Sequence, residues 1–600
     1  MTARLHNSAA QKAAEAALSA LYVESSDGAA LDPLTQAQIY QITRDDKAIG
    51  WRMPLPADYT GIKRELHFVV PGDFPAKPLL AYVYPPPFLA WPHCDSKGKL
   101  CIWIDDRAPV SGTPKSVVDS FVDKLAWLIH ITGPTADPAK RQKEFADEWL
   151  SYWQPPLDSK KGMASNVMLV TAPPPVPCGL QVCFFTQKFN IPGKREPIVM
   201  LADNKEALHQ WKDSLVEHTI TDPGPLGLYE PLTSLPPLGA PVTLKQLGDL
   251  LANHATPGAM HRMKAHLARA RFSNQWLILG LPQGNGHILV GICLIPTMRN
   301  ATWSSGYQNE KTRNERDRQR EKDPVWTVAA CDVDRGDPAW MRDRDQDSSL
   351  TRMQAATVTI VGDGSLGSPI IDDLARYGLG NLIEVDGDLH KSENIGRHSL
   401  GAEYLRIKKV LAHGHRLRAS FPNLKVTVIP KQIQDLSDEE LNLVLKSDLV
   451  ISAAASWPAD NYLIKLKENG FIRGALLVCW AEPHAMAGQS LLSIDSKDNL
   501  SGQFEATGGF KKKATQWSEA DFERRLPACQ AAFQPAGYLG LRAIATMVAK
   551  QVTEYILGTI TNSERRLWCE NADAIQAKGG KVTGFHKEGG GLAGVFKVDF

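Results

Sequence analysis

The sequence predicts a multidomain α/β protein whose C-terminal part is a parallel sheet covered by helices. Three observations carry this. The chain has 600 residues, more than one hydrophobic core serves, and a domain size of about 150 residues suggests three or four units. Its texture changes near residues 160 and 350. From residue 351 onward, short apolar runs alternate with helix-period segments, the pattern of strands joined by crossover helices.

Region 1–159 reads as α+β. An Ala-rich amphipathic helix is expected over 9–21 and strands over 63–70 and 79–84. Pro85, Pro86 and Pro87 then break regular structure. A helix over 117–131 follows, with an apolar stripe at Val117, Val118, Phe121, Leu125, Leu128 and Ile129. Region 160–350 reads as a mixed connector. It has strands expected at 180–185, 198–202, 276–281 and 287–295 and a helix at 207–218. Its 309–323 segment is almost wholly charged or amide and predicts a solvated loop. Region 351–600 carries strands expected at 356–361, 382–385, 426–429 and 448–453, and helices at 368–377, 405–420 and 539–557.

Composition excludes several classes. Hydrophobic residues make up 43% and charged residues 22%, an ordinary globular balance. Lys plus Arg is 67 against 66 Asp plus Glu, so there is no global attraction to nucleic acid or anionic membrane. No apolar run approaches the roughly 20 residues of a membrane span. Residues 1–20 lack a basic segment followed by an apolar one, so no secretory signal is expected. The nine cysteines include no Cys-x-x-Cys pair, which fits a reducing cytoplasm with mostly inert thiols.

The strongest motif follows the 356–361 strand. Gly362-Asp-Gly364-Ser365-Leu-Gly367 is a G-x-G-x-x-G turn opening a helix. Glycines there let backbone amides approach phosphate oxygens, and the helix N-terminus adds its positive dipole end. Asp386 ends the next strand 19 residues past Gly367, close to the roughly 20 expected for a ribose-binding acid. The segment beyond departs from a dehydrogenase. Asp386-Gly-Asp388 leads to Asn394-Ile-Gly-Arg397-His398, and Lys409 follows. Fixed Arg and Lys charge suits a triphosphate better than a dinucleotide. Spacing alone leaves Lys409 equally open to being part of a solvated helix face.

The run 361–409 resembles the ThiF-type adenylating domain of ubiquitin-activating-like enzymes. The matching residues are Gly362, Gly364 and Gly367 with Ser365 or Ser368, then Asp386, Asp388, Asn394, Arg397, His398 and Lys409. The resemblance extends through Asp448-Leu-Val-Ile-Ser and Cys479-Trp-Ala-Glu-Pro, over most of 351–560. It implies binding of ATP and Mg2+, attack of a protein C-terminal carboxylate on the α-phosphate, and a homodimer. Where the family has a magnesium-holding Asp, this chain has Ala455, with Asp460 nearby. The metal ligand is therefore open.

Two cysteines stand out. Cys529 follows Arg524 and Arg525, whose charge favours a thiolate, and precedes the late helix. The ThiF resemblance places the thioester cysteine in this stretch. A thioester preserves acyl reactivity after AMP leaves. Cys101 ends Gly98-Lys-Leu-Cys101, after Phe74-Pro75 and His93 and before a helix. That order over about 10–155 resembles the ubiquitin-conjugating fold, whose prokaryotic members carry a Gly-x-Leu-Cys element. Pro92-His93-Cys94 stands in place of the eukaryotic His-Pro-Asn, so His93 either takes the oxyanion role of the missing Asn or braces the loop. Cys94 reads as structural.

Together the two regions resemble the fused activating–conjugating proteins of bacterial antiphage operons of the CBASS type. This implies a relay in which ATP at Gly362, Asp386, Arg397 and Lys409 forms an acyl-adenylate. Cys529 takes the acyl group, Cys101 receives it, and an amine such as lysine completes an amide. The resemblance implies a cGAS-like nucleotidyltransferase as cargo. The rivals are a sulfur-carrier adenylyltransferase, which needs neither Cys101 nor the first 160 residues, and a non-catalytic scaffold, which Ala455 alone favours.

Overall fold

The computed structural model describes residues 8–25, 31–103, 113–153, 166–187, 198–215, 218–269, 273–283, 286–297, 325–342, 349–518, 524–525, 532–588 and 593–598. The charged 309–323 segment and Cys529 lie outside the described residues. The chain divides into two compact units. One comprises Met1–Ser165, Pro175–Gly179 and Leu226–Val333, and the other Asn166–Pro174, Leu180–Pro225 and Asp334–Phe600.

The first unit begins with an antiparallel sheet of Asp32–Pro33, Ile49–Leu55, Arg64–Val70 and Leu80–Tyr84, in chain order. Helices Ser8–Ser25 and Pro114–Thr132 cover it. The second helix starts three residues before the expected Val117. Thr113 accepts from the Ser116 amide as N-cap, and Pro114 needs no donor in the first turn. Val117, Val118, Phe121, Leu125 and Leu128 are buried against Leu66, Phe68 and Val83. Each such side chain contributes about 1.5–3 kcal/mol by leaving water. A buried Asp58 anchors the adjoining loop. Its carboxylate accepts from Arg64 Nε at 2.7 Å, Trp91 Nε1 at 2.9 Å and the Thr60 amide at 2.8 Å. Burial opposes its charge, but hydrogen bonds from Thr60, Arg64 and Trp91 outweigh it and hold the pKa at about 2.

A second core in this unit forms under strands Gln275–Gln283 and Gly286–Thr297 and helices Leu244–His254 and Ala259–Arg269. Trp149 and Trp153 insert into it, donating from their indole nitrogens to Pro236 O at 2.9 Å and Gly291 O at 3.3 Å. The two helices had no counterpart in the sequence reading.

The second unit is built on an eight-stranded sheet. Its elements are β1 (Thr357–Val361), α1 (Gly367–Tyr377), β2 (Asn381–Val385), α2 (Lys409–Ser420), β3 (Lys425–Ile429), β4 (Leu449–Ser452), α3 (Trp457–Glu468), β5 (Ala475–Ala481), β6 (Ala487–Ser493), α4 (Tyr538–Ile556), β7 (Glu564–Cys569) and β8 (Gly594–Val598). The order is β3-β2-β1-β4-β5-β6-β7-β8. β3 through β5 are mutually parallel, as the sequence predicts, but β5-β6, β6-β7 and β7-β8 pair antiparallel. The expectation of a parallel sheet therefore holds for five strands of eight. Strand order reverses between β1 and β4, so a crevice forms at the C-terminal ends of these strands.

Two helices are shorter than their periodicity predicts. The 405–420 segment is helical only from Lys409, because Arg406 adopts φ 69° and a left-handed residue ends any α-helix reaching it. The 207–218 helix runs instead over Lys205–Ser214. Asn204 caps its start, and His218 already begins the strand His218–Pro231.

Candidate active site

The glycine turn joins β1 to α1 at the reversal of strand order. Gly362 has φ 96° and donates to Val385 O at 2.8 Å. A Cβ there would lie 2.5 Å from the Ala454 backbone, and one on Gly367 would lie 1.9 Å from Gly362 O. Both positions therefore require glycine. Around Gly364 nothing stands within 4 Å of such an atom, so the middle of the turn has an open face. Ser365 beside it is half-buried.

Asp386, at the end of β2, organises the backbone. One oxygen accepts from the Asp363 amide at 2.8 Å and the other from the Asp388 amide at 2.7 Å. Burial raises its pKa, against the pull of Lys409. Lys409 is 7% exposed, which excludes the solvated-face reading. Its Nζ lies 3.0 Å from Asp388 and 3.8 Å from Asp386. The loop carrying Asn394 and Arg397 is tied down on both sides. Asn394 O accepts the Arg397 and His398 amides at 2.8 Å. His398 Nε2 bonds Asp363 O at 2.8 Å, and the Ser399 amide donates to Ser368 Oγ at 3.2 Å. Arg397 is half-buried, and its Nε has no hydrogen-bond partner among the described residues. The sequence-predicted Gly362, Gly364, Gly367, Asp386, Asp388 and Lys409 thus converge on one turn, and the loop of Asn394 and Arg397 is pinned to it. An open backbone turn, a lysine and an arginine form an arrangement suited to a polyphosphate.

Ala455 has φ 48° and no ligand atom, and Asp460 is buried with one oxygen on Ser452 Oγ. Burial raises Asp460 to about 6. Ala455 offers no carboxylate for magnesium, whereas the second oxygen of Asp460 has no hydrogen-bond partner among the described residues. A cleft at the end of β5 is lined by Trp480, Glu482, Phe510, Lys513 and Trp517.

The Cys101 loop belongs to the first unit. Gly98 has φ 85° and would place a Cβ 2.3 Å from Val83 O. Asp95 Oδ1 accepts from the Lys97 and Lys99 amides, both at 2.8 Å. These contacts leave Cys101 exposed, with its amide donating to His93 O at 2.7 Å. The His93 ring turns to the helix Pro138–Asp147 and the residue after it. Nε2 meets Glu144 at 3.1 Å, Nδ1 meets Glu148, and the backbone amide donates to Tyr152 Oη at 2.9 Å. Burial alone would lower its pKa, but Glu148 and then Glu144 raise it above the ordinary imidazole value. Cys94 is buried and its thiol is pushed up to about 12, which suits an inert side chain.

Sequence reasoning passed over Asp363, Glu384 and His413. All three are buried around the turn. Glu384 could have been noticed as an acid within the apolar run of β2. Burial pushes Glu384 up to about 8. His413 rises to about 10 against its burial, through Asp363 and Glu384.

The topology and turn define an α/β domain with a glycine turn at the reversal of its strand order. Residues 341–578, less than half of the chain, match the model of the ThiF family. Three relatives align within the chain. An uncharacterized protein y4qC of Sinorhizobium fredii is 30% identical over 151 residues, 23% of this chain and 25% of that protein. A sulfur carrier protein adenylyltransferase of Thermus thermophilus is 31% identical over 114 residues, 19% of this chain and 41% of that protein. The ATP-dependent ubiquitin transferase-like protein Cap2 of Pseudomonas aeruginosa is 29% identical over 122 residues, 20% of this chain and 22% of that protein. The alignments span less than half the length of each relative. Among solved structures, E. coli MccB with ATP shares 15% identity at a TM-score of 0.28, covering 37% of this chain and 63% of that one. Among the described residues no helix is long and apolar enough to cross a membrane.

Proposed function

We propose that this protein uses ATP to activate the C-terminal carboxylate of a protein, and passes the acyl group through two cysteine thioesters to an amine. The observation that carries the reading is the open turn at Gly364 with Lys409 and Arg397 supplied by the segments around it. In the first step a carboxylate oxygen attacks the α-phosphorus, the bond to the β-phosphate oxygen breaks, and pyrophosphate leaves. Turn amides and the helix dipole bind phosphate oxygens, while Lys409 and Arg397 offset the charge that grows on them. Asp386 holds the turn and the Asp388 amide in place, with Asp388 left to face a ribose hydroxyl. Asp460 would be the carboxylate to hold magnesium, since Ala455 supplies none, and no step is routed through the ion.

The Cys529 thiolate then attacks the acyl carbon and AMP leaves. Thioester exchange moves the acyl group to the Cys101 sulfur, and an amine such as lysine displaces that sulfur to form an amide. Cys101 is exposed on a glycine-dependent loop, which supports its role as the terminal carrier. His93 is read as the brace of this loop, since both ring nitrogens meet carboxylates. The similarity to a ubiquitin transferase-like protein supports a protein as cargo, and the resemblance of the two regions to fused activating–conjugating proteins makes a cGAS-like nucleotidyltransferase in an antiphage setting the cargo to test.

The test is intact-mass analysis and non-reducing electrophoresis after incubation with ATP, Mg2+ and such a cargo. Wild type, Cys101→Ala and Cys529→Ala are compared. A thiol-labile adduct on Cys101 that is lost in Cys529→Ala is expected. AMP release with an adduct on neither cysteine would overturn the relay in favour of sulfur-carrier chemistry, the reading that the Thermus relative supports.

A further inference from the structure

Beneath the turn, the core holds ionisable side chains that the proposed chemistry does not use. Asp363 on the turn, Glu384 on β2 and His413 on α2 are each at most 1% exposed. One ligand atom from each lies within 4.8 Å of the others. His413 Nδ1 is 2.9 Å from Asp363 Oδ1 and 3.6 Å from Glu384 Oε2. Neither oxygen of Glu384, nor Asp363 Oδ2, has a hydrogen-bond partner among the described residues. A fully buried carboxylate without a partner is costly in an apolar strand, so these oxygens face something that satisfies them.

We infer that Asp363, Glu384 and His413 form a buried binding site for a divalent transition metal, with zinc the ion that suits it best. Two carboxylates and a neutral imidazole around a dication carry no net charge, which makes burial tolerable. One nitrogen and two carboxylates form a ligand set that zinc accepts, whereas calcium and magnesium call for six or more oxygens, several of them water. On the far side of the ring, Arg416 Nη2 donates to His413 Nε2 at 2.9 Å, and Asp372, which is paired with Arg416, lies 3.5 Å from the same nitrogen. Nδ1 therefore carries the proton that faces Asp363, and metal at Nδ1 would displace it, with Asp372 and Arg416 holding the ring from behind.

The site would lock the nucleotide turn from below. The Asp363 amide donates to Asp386, and its carbonyl accepts from His398. Metal on the same residue's side chain therefore couples β2, α2 and the turn at one point. The inference does not rest on adenylation, and its readout is metal content.

The full chain is purified from zinc-supplemented cells, dialysed, and assayed by elemental mass spectrometry. About one zinc per chain is expected. Glu384→Gln preserves shape and removes a ligand charge, so zinc retained should fall at least tenfold. Asp372→Asn, which leaves all three ligands in place, should weaken zinc in a chelator competition by 10–100-fold. Substituted cobalt should show ligand-field bands with no thiolate charge-transfer band, which separates this site from the nine cysteines. Folding of each variant is checked by circular dichroism. A folded wild type that retains no zinc and takes up none would overturn the inference and leave the cluster to shared protons. So would equal zinc in folded Glu384→Gln, or a thiolate band. If Glu384→Gln does not fold, the Asp372→Asn competition decides in the same way.

Discussion

The glycine turn is held by backbone contacts, from its own β-α-β unit and from Ala454, whereas His93 beside Cys101 is held by side chains that arrive from far along the chain. Gly362 bonds Val385 on the next strand, and Gly367 packs on Gly362 itself. His93 is clamped by Glu144, 51 residues away, and its amide is bonded by Tyr152, 59 residues away. A turn crowded by backbone fails when one atom is added, and Gly98 in the Cys101 loop shares that limit, whereas the His93 clamp weakens by degrees, and it weakens with pH. The following outcomes break or sharpen that contrast, from the largest effect to the smallest.

Gly367→Ala should abolish ATP binding, because its Cβ would stand 1.9 Å from Gly362 O, while Gly364→Ala should leave the fold intact, with nothing within 4 Å. Isothermal calorimetry of the two variants checks this pair. Equal binding losses, or none, would break the account of the turn. Next, Asp58→Ala should destabilise the first unit by about 3–5 kcal/mol, the range for removing one partner of a buried ion pair. Urea unfolding measures it. The same carboxylate gives an acid limb. Its folded pKa of about 2 lies below the unfolded value near 3.9, so its stabilisation is present above about pH 4 and is lost as pH falls toward 2. Asp58→Asn should flatten that limb.

The smallest effect concerns His93. Its pKa is raised in the fold, so the clamp contributes fully below the unfolded value near 6.5 and is lost as pH rises through the folded one. His93→Gln should cost about 1–3 kcal/mol at low pH and progressively less at high pH. Hydrogen exchange at the Cys101 amide, which bonds His93 O at 2.7 Å, reports it locally. A loss independent of pH would mean that packing, including the ring against Trp127, outweighs the carboxylates.

The same contrast explains what was legible in the sequence. The turn needs glycine at fixed offsets from a strand and a helix, so Gly362, Gly364, Gly367 and Asp386 could be located by spacing. Glu144, Glu148 and Tyr152 could not be found that way, because nothing near His93 in sequence names its partners. Asp363 occupies a variable place in the glycine motif, and its partners Glu384 and His413 come from the following strand and helix. The antiparallel turn of the sheet at β6 was hidden as well. All seven residues of that strand are buried, which reads alike in either direction. Arg406 looked like an ordinary helical residue, and its left-handed backbone is set by the bonds of His390 with Ile407 and Arg406.

The most direct measurement is ATP–pyrophosphate exchange in the presence of a cargo C-terminal peptide, comparing wild type with Lys409→Ala, Arg397→Ala and Cys529→Ala. The account predicts exchange in wild type, a loss of about 100-fold or more in each charge variant, and retention in Cys529→Ala, since adenylation precedes the thiol. Exchange that survives both charge variants, or that is absent from wild type with an authentic cargo, would contradict it.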